Sequence, residues 1–214
     1  MRIEYGDMES SRKEILQFCH ARKIENPNYE IVDVGGFADS WSSEVTDLVI
    51  DFRGDDTHNS LKADICSYRD WEKIFSYVHK NGKFDYAICT HTLEDLAYPF
   101  LSLECLPKIA KAGIITMPTI NTELSNIESE DWIGYIHHRW FFTEQEGEMF
   151  VIPKLPIFQV IGGIIPFSES DKTVNEIRYH WEDNIPFRVF MDGYHGPTPN
   201  EVLENCNRIL ASIL

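Results

Sequence analysis

Short apolar runs alternate with longer amphipathic stretches through the first half of the chain. Runs of strand length occupy residues 29–34, 47–52, 84–89 and 113–117. Apolar positions at helical spacing predict helices at residues 10–22, 70–80 and 99–110. Because strands that alternate with helices form a mostly parallel sheet, we expect an α/β fold with its ligand site at the carboxyl ends of the strands.

The second half of the chain is less regular. Two strand-like runs, residues 140–144 and 148–152, flank a Gly-containing turn and predict a hairpin. Residues 185–191 alternate enough to predict a late strand, and residues 199–214 predict a terminal amphipathic helix. The stretch 157–171 contains two adjacent glycines and a proline, so it is expected to form a long loop.

Two adjacent glycines, Gly35 and Gly36, follow the first predicted strand. Glycine accepts positive φ angles and has no side chain, so the backbone there can approach a ligand closely. Asp51 ends the next apolar run, where a carboxylate can accept hydrogen bonds from both hydroxyls of a ribose, and Asp64 can bind an adenine amino group. This ordered set predicts a site for an adenosyl cofactor.

These motifs resemble the class I S-adenosylmethionine-dependent methyltransferases over about residues 29–118. In that family the first strand reads hydrophobic-hydrophobic-Asp/Glu-x-Gly-x-Gly, which residues 31–36 match. The fourth reads Phe-Asp-hydrophobic-hydrophobic, which residues 84–88 match. Residues 90–95 are similar to the Ser-His-x-Leu-Glu-His loop of many members, with Asp95 in place of the last histidine.

The resemblance implies a Rossmann-like sheet, mostly parallel with a late antiparallel strand and with helices on both faces. It also implies S-adenosylmethionine as the cofactor and S-adenosylhomocysteine as the product. The positions that the resemblance assigns to cofactor binding are Asp33, Gly35, Gly36, Asp51, Asp64, Ile65, Thr90 and His91.

The chain departs from the family pattern just after the glycine pair. Phe37 stands where the usual pattern has its third glycine. The connection from Gly36 to Asp51 is short, and a strand takes about five of its residues, so the first crossover helix must be very short or absent. Trp41 lies inside this connection and either covers the cofactor or packs onto the sheet.

Composition agrees with one α/β domain that spans residues 1–214, since 43% of the residues are apolar. The net charge of −16 weighs against nucleic acids and anionic membranes as partners. No apolar run approaches the roughly 18 residues of a membrane span, and the first residues lack the apolar segment of a secretion signal, so we expect a cytoplasmic protein. The five cysteines occur singly, which favours reduced thiols.

His91 comes just after the predicted strand at residues 84–89, where the reactive end of the cofactor should lie. A histidine there could take the proton of an acceptor hydroxyl, contact the cofactor or simply pack. Glu94 and Asp95 could position a hydroxyl, coordinate a divalent ion or cap the following helix. Glu123 comes soon after the predicted strand at residues 113–117 and is a comparable candidate for acceptor binding.

The segment Gly-Tyr-Ile-His-His-Arg-Trp at residues 134–140 places two imidazoles and a guanidinium together. If it is extended, alternation puts His137 and Arg139 on one face and His138 on the other. Chelation of a metal by both histidines is then not expected, and no metal site is assigned, although metal dependence stays open. His138 and His137 are further catalytic candidates and Arg139 a substrate-binding one; a packed strand edge is the alternative.

The sequence therefore suggests an S-adenosylmethionine-dependent O-methyltransferase with a small polar acceptor. A sugar hydroxyl, such as that of rhamnose or another deoxyhexose in a glycan or nucleotide-sugar, is preferred. This preference rests on a resemblance to small methyltransferases of glycan-building systems that carry a Gly-x-x-His-His-Arg-Trp segment. The alternatives are a catalytically silent cofactor-binding module and a nicotinamide-dependent Rossmann enzyme, which would need a third glycine and a full-length helix. The sequence indicates no oligomeric state.

Overall fold

A computed structural model describes residues 1–125, 127–129, 132–154, 174–190, 200–204 and 207. Its strands are β1 (Arg2–Gly6), β2 (Ile31–Val34), β3 (Leu48–Asp51), β4 (Ser60–Lys62), β5 (Phe84–Thr90), β6 (Ala110–Pro118), β7 (Ile127–Ser129), β8 (Trp132–Ile133), β9 (Trp140–Gln145), β10 (Glu148–Pro153), β11 (Glu176–Glu182) and β12 (Phe187–Val189). Its helices are α1 (Met8–Glu25), α2 (Tyr68–Asn81), α3 (Pro99–Ile109) and α4 (Ile120–Ser125).

The central sheet has seven strands in the order β1-β11-β6-β5-β2-β3-β4. The five strands from β2 to β6 are mutually parallel, and β11 runs antiparallel to both of its neighbours. This arrangement confirms the α/β fold and the mostly parallel sheet. The carboxyl ends of the parallel strands meet at one edge, where the amino-terminal end of β11 also lies because that strand is reversed.

The identity of the late antiparallel strand differs from the prediction. Of the predicted strand 185–191, the described residues 185–190 contribute β12, which pairs parallel with β10 in a separate three-stranded sheet. The antiparallel strand of the central sheet is β11, whose Ile177, Tyr179 and Trp181 are buried. Charged or polar residues alternate with them, a period of two that is typical of a strand and that the sequence prediction missed.

Helices cover both faces of the sheet, as predicted. α2 and α3 pack on one face, against residues such as Val32 and Ala87. α1 packs on the other through Ile15 and Cys19, against the intervening residues of the same strands. Successive side chains of a strand point to opposite faces, so each central strand contributes to both layers.

The first crossover is short, as expected, and residues 35–47 contain turns but no helix. α1 takes over part of the cover on that face, together with Val45 of the connection. Trp41 is half-buried against this layer, and the Arg12 guanidinium lies 5.7 Å from its ring centroid. Of the two interpretations of Trp41, the geometry therefore supports packing onto the sheet.

The remaining predictions have mixed outcomes. The hairpin is confirmed as β9 and β10, which pair antiparallel. The short strands β1 and β4 were not predicted. The expected loop 157–171 lies outside the described residues, and so does most of the expected helix 199–214, of which residues 200–204 are helical. Among the described residues, no helix is both long and apolar enough to span a membrane.

Candidate functional site

A cavity of about 190 Å³ opens at the carboxyl ends of β2, β3, β4 and β5. Its walls come from the loops that follow these four strands. The lining residues are Gly35, Phe37, Ile50, Asp51, Phe52, Arg53, Ala63, Asp64, Ile65, His91, Thr92, Asp95 and Leu96. This is the edge of the sheet at which a ligand was expected from the strand order.

The glycine pair after β2 is required by close packing around the loop. Gly35 has a φ of +89°, and a Cβ there would overlap the Thr92 side chain. A Cβ at Gly36 would overlap the carboxylate of Asp33. The loop can therefore pass directly over the end of β2 only because both residues lack side chains.

Asp33 lies beneath this loop and does not line the cavity. Its carboxylate accepts a hydrogen bond from the Ser42 hydroxyl, and the Gly36 backbone also contributes a hydrogen bond. Burial raises the pKa of Asp33 to about 6, against the opposing effect of these hydrogen bonds. Asp33 thus ties the crossover to the glycine loop, a positioning role for one of the residues expected to contact the cofactor.

Asp51 is buried at the end of β3 and forms part of the cavity wall. Its Oδ1 atom accepts hydrogen bonds from the Arg53 backbone N–H at 2.7 Å and from Arg53 Nε at 3.2 Å. The Arg53 guanidinium lies 3.9 Å from the ring centroid of Phe37 and 4.8 Å from that of Phe52. Phe37, which replaces the usual third glycine, thus forms a cover over Asp51 with Arg53.

The loop after β4 brings Asp64 and Ile65 to the same cavity. Asp64 Oδ1 accepts a hydrogen bond from Cys66 N at 2.8 Å, and Asp64 N donates one to Asp70 at 2.8 Å. The N-cap of α2 is Ser67, whose side chain accepts a hydrogen bond from Asp70 N. The Asp64 side chain is exposed.

His91 follows β5 with a left-handed backbone, φ +47°, and lines the cavity. Its Nε2 atom lies 2.8 Å from Glu176 Oε2, and its Nδ1 atom lies 3.5 Å from Glu94 Oε1. Glu176 is the first residue of the reversed strand β11, which explains how it reaches this edge. The ring is therefore held between two buried carboxylates.

The two carboxylates determine the charge of His91. Burial would lower the pKa of His91, but hydrogen bonding to Glu176 and the nearby Glu94 carboxylate outweighs it and raises the pKa to about 9. An imidazolium cannot accept a proton from a hydroxyl at neutral pH. This geometry argues against His91 as the general base and favours its other expected role, contact with the cofactor.

The stability of the protein should depend on the proton of His91. The pKa is about 9 in the folded protein and about 6.5 in an unfolded chain, so the stabilisation is complete below pH 6.5 and is lost as the pH rises through 9. In chelator-treated protein, wild type should exceed His91→Asn in unfolding free energy by roughly 2 kcal/mol at pH 6 and by little at pH 10. Asparagine tolerates the positive φ angle.

Urea unfolding at several pH values would measure this difference, and His79→Asn on the exposed side of α2 serves as the control. A difference that stays constant from pH 6 to pH 10 would contradict the charged state assigned to His91.

A second cluster of ionisable groups lies beside the cavity. Glu123, on α4, is buried, and its Oε2 atom lies 2.6 Å from His138 Nδ1. Its Oε1 atom accepts hydrogen bonds from Lys154 Nζ at 2.7 Å and from Tyr135 N at 3.0 Å. Burial would raise the pKa of Glu123, but His138 and Lys154 together hold it below its usual value. Glu123 therefore orients His138, and its carboxylate is already engaged by protein groups.

The arrangement of the two histidines differs from the prediction. Residues 136–137 form a turn, and the strand begins only at Trp140, so strand alternation does not apply. The ring centroids of His137 and His138 are 4.6 Å apart. Their Nε2 atoms lie 3.9 Å and 3.6 Å, respectively, from Asp95 Oδ1. The expectation that only one histidine faces the site was wrong.

Backbone contacts hold this segment against the loop after β5. The N–H groups of Arg139 and Trp140 donate to Glu94 O at 2.7 Å and 3.2 Å, and Trp140 Nε1 donates to Leu96 O at 2.8 Å. The Arg139 side chain is exposed. Since Asp95 also lines the cavity, these contacts place the histidine pair next to the expected cofactor site.

The structure thus brings most of the expected site residues together. Of the predicted cofactor contacts, Gly35, Asp51, Asp64, Ile65 and His91 line the cavity, Gly36 and Asp33 support it, and Thr90 ends β5, where its carbonyl accepts a hydrogen bond from Thr92. Sequence reasoning did not identify Arg53, Glu176 or Lys154. Of these three, only Arg53 could have been recognised from the sequence, because a basic residue two positions after Asp51 can contact its carboxylate.

No family model matches the chain, and no curated protein sequence matches it. Similar solved structures include the N-terminal domain of EvdMO1 with SAH bound, at 13% identity over 78% of this chain and 79% of that one, with a TM-score of 0.39. The same domain in the presence of SAH and D-fucose gives 13% identity, 78% and 81% coverage and a TM-score of 0.39.

The methyltransferase domain of bacterial-CtHen1-CN is 11% identical over 79% of this chain and 98% of that one, with a TM-score of 0.37. Identities and TM-scores this low do not establish a shared function. The functional assignment therefore rests on the residues of the site.

Proposed function

We propose that this chain is an S-adenosylmethionine-dependent O-methyltransferase that acts on a hydroxyl of a small polar acceptor. The observation that carries the proposal is the cavity at the strand ends. Its wall combines Gly35, Asp51 and Asp64 on one side with Asp95 on the other, where the two histidines lie. The nucleoside half of the site thus adjoins a proton-accepting half at Asp95, whose neighbours His137 and His138 do not themselves line the cavity.

The residues of the nucleoside half suit the parts of the cofactor. The Asp51 carboxylate would accept the ribose hydroxyls, and Asp64 would accept from the adenine amino group. The left-handed backbone at Gly35 lets the loop approach the methionine portion closely. The His91 ring lies at the same wall, where it would pack against the cofactor while its two nitrogens face Glu176 and Glu94.

The reaction needs alignment more than covalent help from the protein. The acceptor oxygen attacks the methyl carbon in line with the departing sulfur, so an O–CH₃ bond forms as the S–CH₃ bond breaks. S-adenosylhomocysteine leaves as a neutral thioether. The hydroxyl proton departs toward the cluster of Asp95, His137 and His138.

A sugar fits this half of the site better than an apolar acceptor. His137 is exposed beside Asp95, and the Tyr135 ring centroid lies 5.9 Å from that of His137 and 4.6 Å from that of His138. Imidazole and carboxylate groups can hydrogen-bond several hydroxyls, and an aromatic face can cover the C–H surface of a pyranose ring. The preference for a deoxyhexose such as rhamnose rests on the sequence resemblance.

Calorimetry followed by a turnover assay tests the proposal. We expect S-adenosylmethionine and S-adenosylhomocysteine to bind with one site per chain and NAD not to bind. Methyl transfer from labelled S-adenosylmethionine should then appear with rhamnosides or other deoxyhexosides and not with their fully O-methylated counterparts. Tight binding of NAD in place of S-adenosylhomocysteine would support the nicotinamide alternative. Cofactor binding without turnover across the panel would support the silent module.

A further inference from the structure

We propose that Asp95, His137 and His138 form a binding site for a divalent first-row transition metal ion. One potential ligand atom from each residue lies within 4.8 Å of the other two. Two imidazoles and one carboxylate on one side of an ion leave coordination positions open for further ligands. Binding of the ion does not depend on the proposed function, whereas its role in methyl transfer rests on it.

His138 is the fixed member of the set. Its side chain is only 8% exposed, and its Nδ1 atom lies 2.6 Å from Glu123 Oε2. A hydrogen bond from Nδ1–H to this carboxylate selects the tautomer in which Nε2 carries the free lone pair. That Nε2 atom faces Asp95. Histidine ligands of metal ions usually donate their other N–H to a carboxylate in this way.

Glu123 is in turn held by Lys154 and by the Tyr135 backbone, so the orientation of His138 is set before any ion binds. A histidine that merely packed in a strand edge would not need a buried carboxylate supported by a buried lysine. The contacts are those expected of a support for a ligand.

Asp95 supplies the second observation. Its Oδ1 atom is buried and has no hydrogen-bond partner among the described residues, although it is the atom nearest both histidines. A buried unpaired carboxylate oxygen is costly, and a cation between Asp95 and the imidazoles would remove that cost.

The spacing requires only a local adjustment. Ligands bind such ions at about 2.0 to 2.2 Å, so neighbouring ligand atoms in a loaded site lie roughly 3 Å apart. The Nε2–Oδ1 distances of 3.9 Å for His137 and 3.6 Å for His138 are somewhat wider. His137 is 60% exposed and Asp95 41% exposed, so both side chains are free to close on an ion that His138 holds.

The ligand types favour Mn²⁺, Fe²⁺, Co²⁺ or Zn²⁺ over Mg²⁺, because imidazole nitrogen suits the former and Mg²⁺ prefers oxygen. Since Asp95 also lines the cavity, an open position of the ion would face the acceptor. A hydroxyl oxygen bound there would lose its proton more easily and would be oriented toward the methyl group.

Binding of Co²⁺ and Mn²⁺ to tag-free, chelator-treated protein tests the site directly. We expect one ion per chain, with visible absorption bands for Co²⁺ that indicate imidazole ligands, in the absence of any cofactor. Asp95→Asn and His137→Ala should each weaken binding at least about tenfold, and Glu123→Gln should weaken it about 10- to 100-fold through His138. His79→Ala, on the exposed surface of α2, should bind as the wild type does.

Affinities that are unchanged in Asp95→Asn and His137→Ala would overturn the site, and these exposed positions should not impair folding, which thermal unfolding would verify. The outcomes also separate the two proposals. Full methyl transfer in the presence of a chelator would reject the role of the ion in the reaction and keep the proposed function. Specific binding of the ion by a chain that binds no S-adenosylhomocysteine would reject the proposed function and keep the metal site.

Discussion

His138→Asn is expected to lower methyl-transfer turnover about 10²- to 10⁴-fold while S-adenosylhomocysteine binds as it does to the wild type. The asparagine amide nitrogen can replace Nδ1 as the donor to Glu123, so the buried carboxylate keeps its partner. The group that is lost is Nε2, which faces Asp95 and the acceptor side of the cavity. Single-turnover rates and calorimetry measure the two quantities separately.

Two comparisons make this result specific. His79→Asn on the surface of α2 should retain full turnover. His91→Asn should instead reduce cofactor affinity together with rate, because His91 lines the nucleoside cavity between Glu94 and Glu176. Full activity of His138→Asn would show that the histidine segment is a packed edge of the fold and not the acceptor side of a site.

Asp51→Ala is expected to weaken S-adenosylhomocysteine binding by about 1.5 to 3 kcal/mol, or roughly ten- to a hundredfold. The carboxylate is buried at the cavity wall, and a ribose would lose two hydrogen bonds to a charged group. Asp64→Ala should have a smaller effect, since only one contact to adenine is lost. Calorimetry with S-adenosylhomocysteine measures both changes.

Arg53 makes this experiment sharper. Its backbone and side chain both donate to Asp51 Oδ1, so Arg53→Ala removes a competitor for the carboxylate and should not weaken cofactor binding. Asp55→Ala removes an exposed acid from the same loop and should leave affinity unchanged. Equal affinity of wild type and Asp51→Ala would reject the ribose assignment. A large loss in Arg53→Ala would mean that the cofactor binds to the arginine instead.

The sequence alone was enough to identify the elements whose residue pattern is local. The parallel strands β2, β3 and β5 are recognisable in the sequence as apolar runs, because both of their faces are covered. The glycine pair follows a predicted strand and Asp51 ends one, and strand ends in a parallel sheet converge on one edge. Asp64 was also identified, although the strand β4 before it was not predicted. The short first crossover was predicted from the small number of residues between Gly36 and Asp51 alone.

Long-range pairing was decided by the tertiary structure. Glu176 lies 85 positions from His91 in the sequence and reaches it only because β11 enters the sheet in the reverse direction beside β6. No local pattern indicates that β11 pairs with β6. Because this pairing brings Glu176 to His91, the His91 ring is an imidazolium and not the proton acceptor that the sequence allowed. The contact between Glu123 and Lys154 also depends on tertiary structure, because the two residues belong to elements that are distant in the chain.

The histidine pair shows most clearly what the sequence determines and what the tertiary structure determines. The residue types at positions 137 and 138 identified a chemically unusual segment, but their directions depended on whether the backbone was extended or turned. Alternation holds only within a strand, and here the chain turns before β9 begins because its backbone is tied to the loop that carries Glu94. Sequence therefore determined which groups could do chemistry, and the tertiary contacts decided which of them face one another.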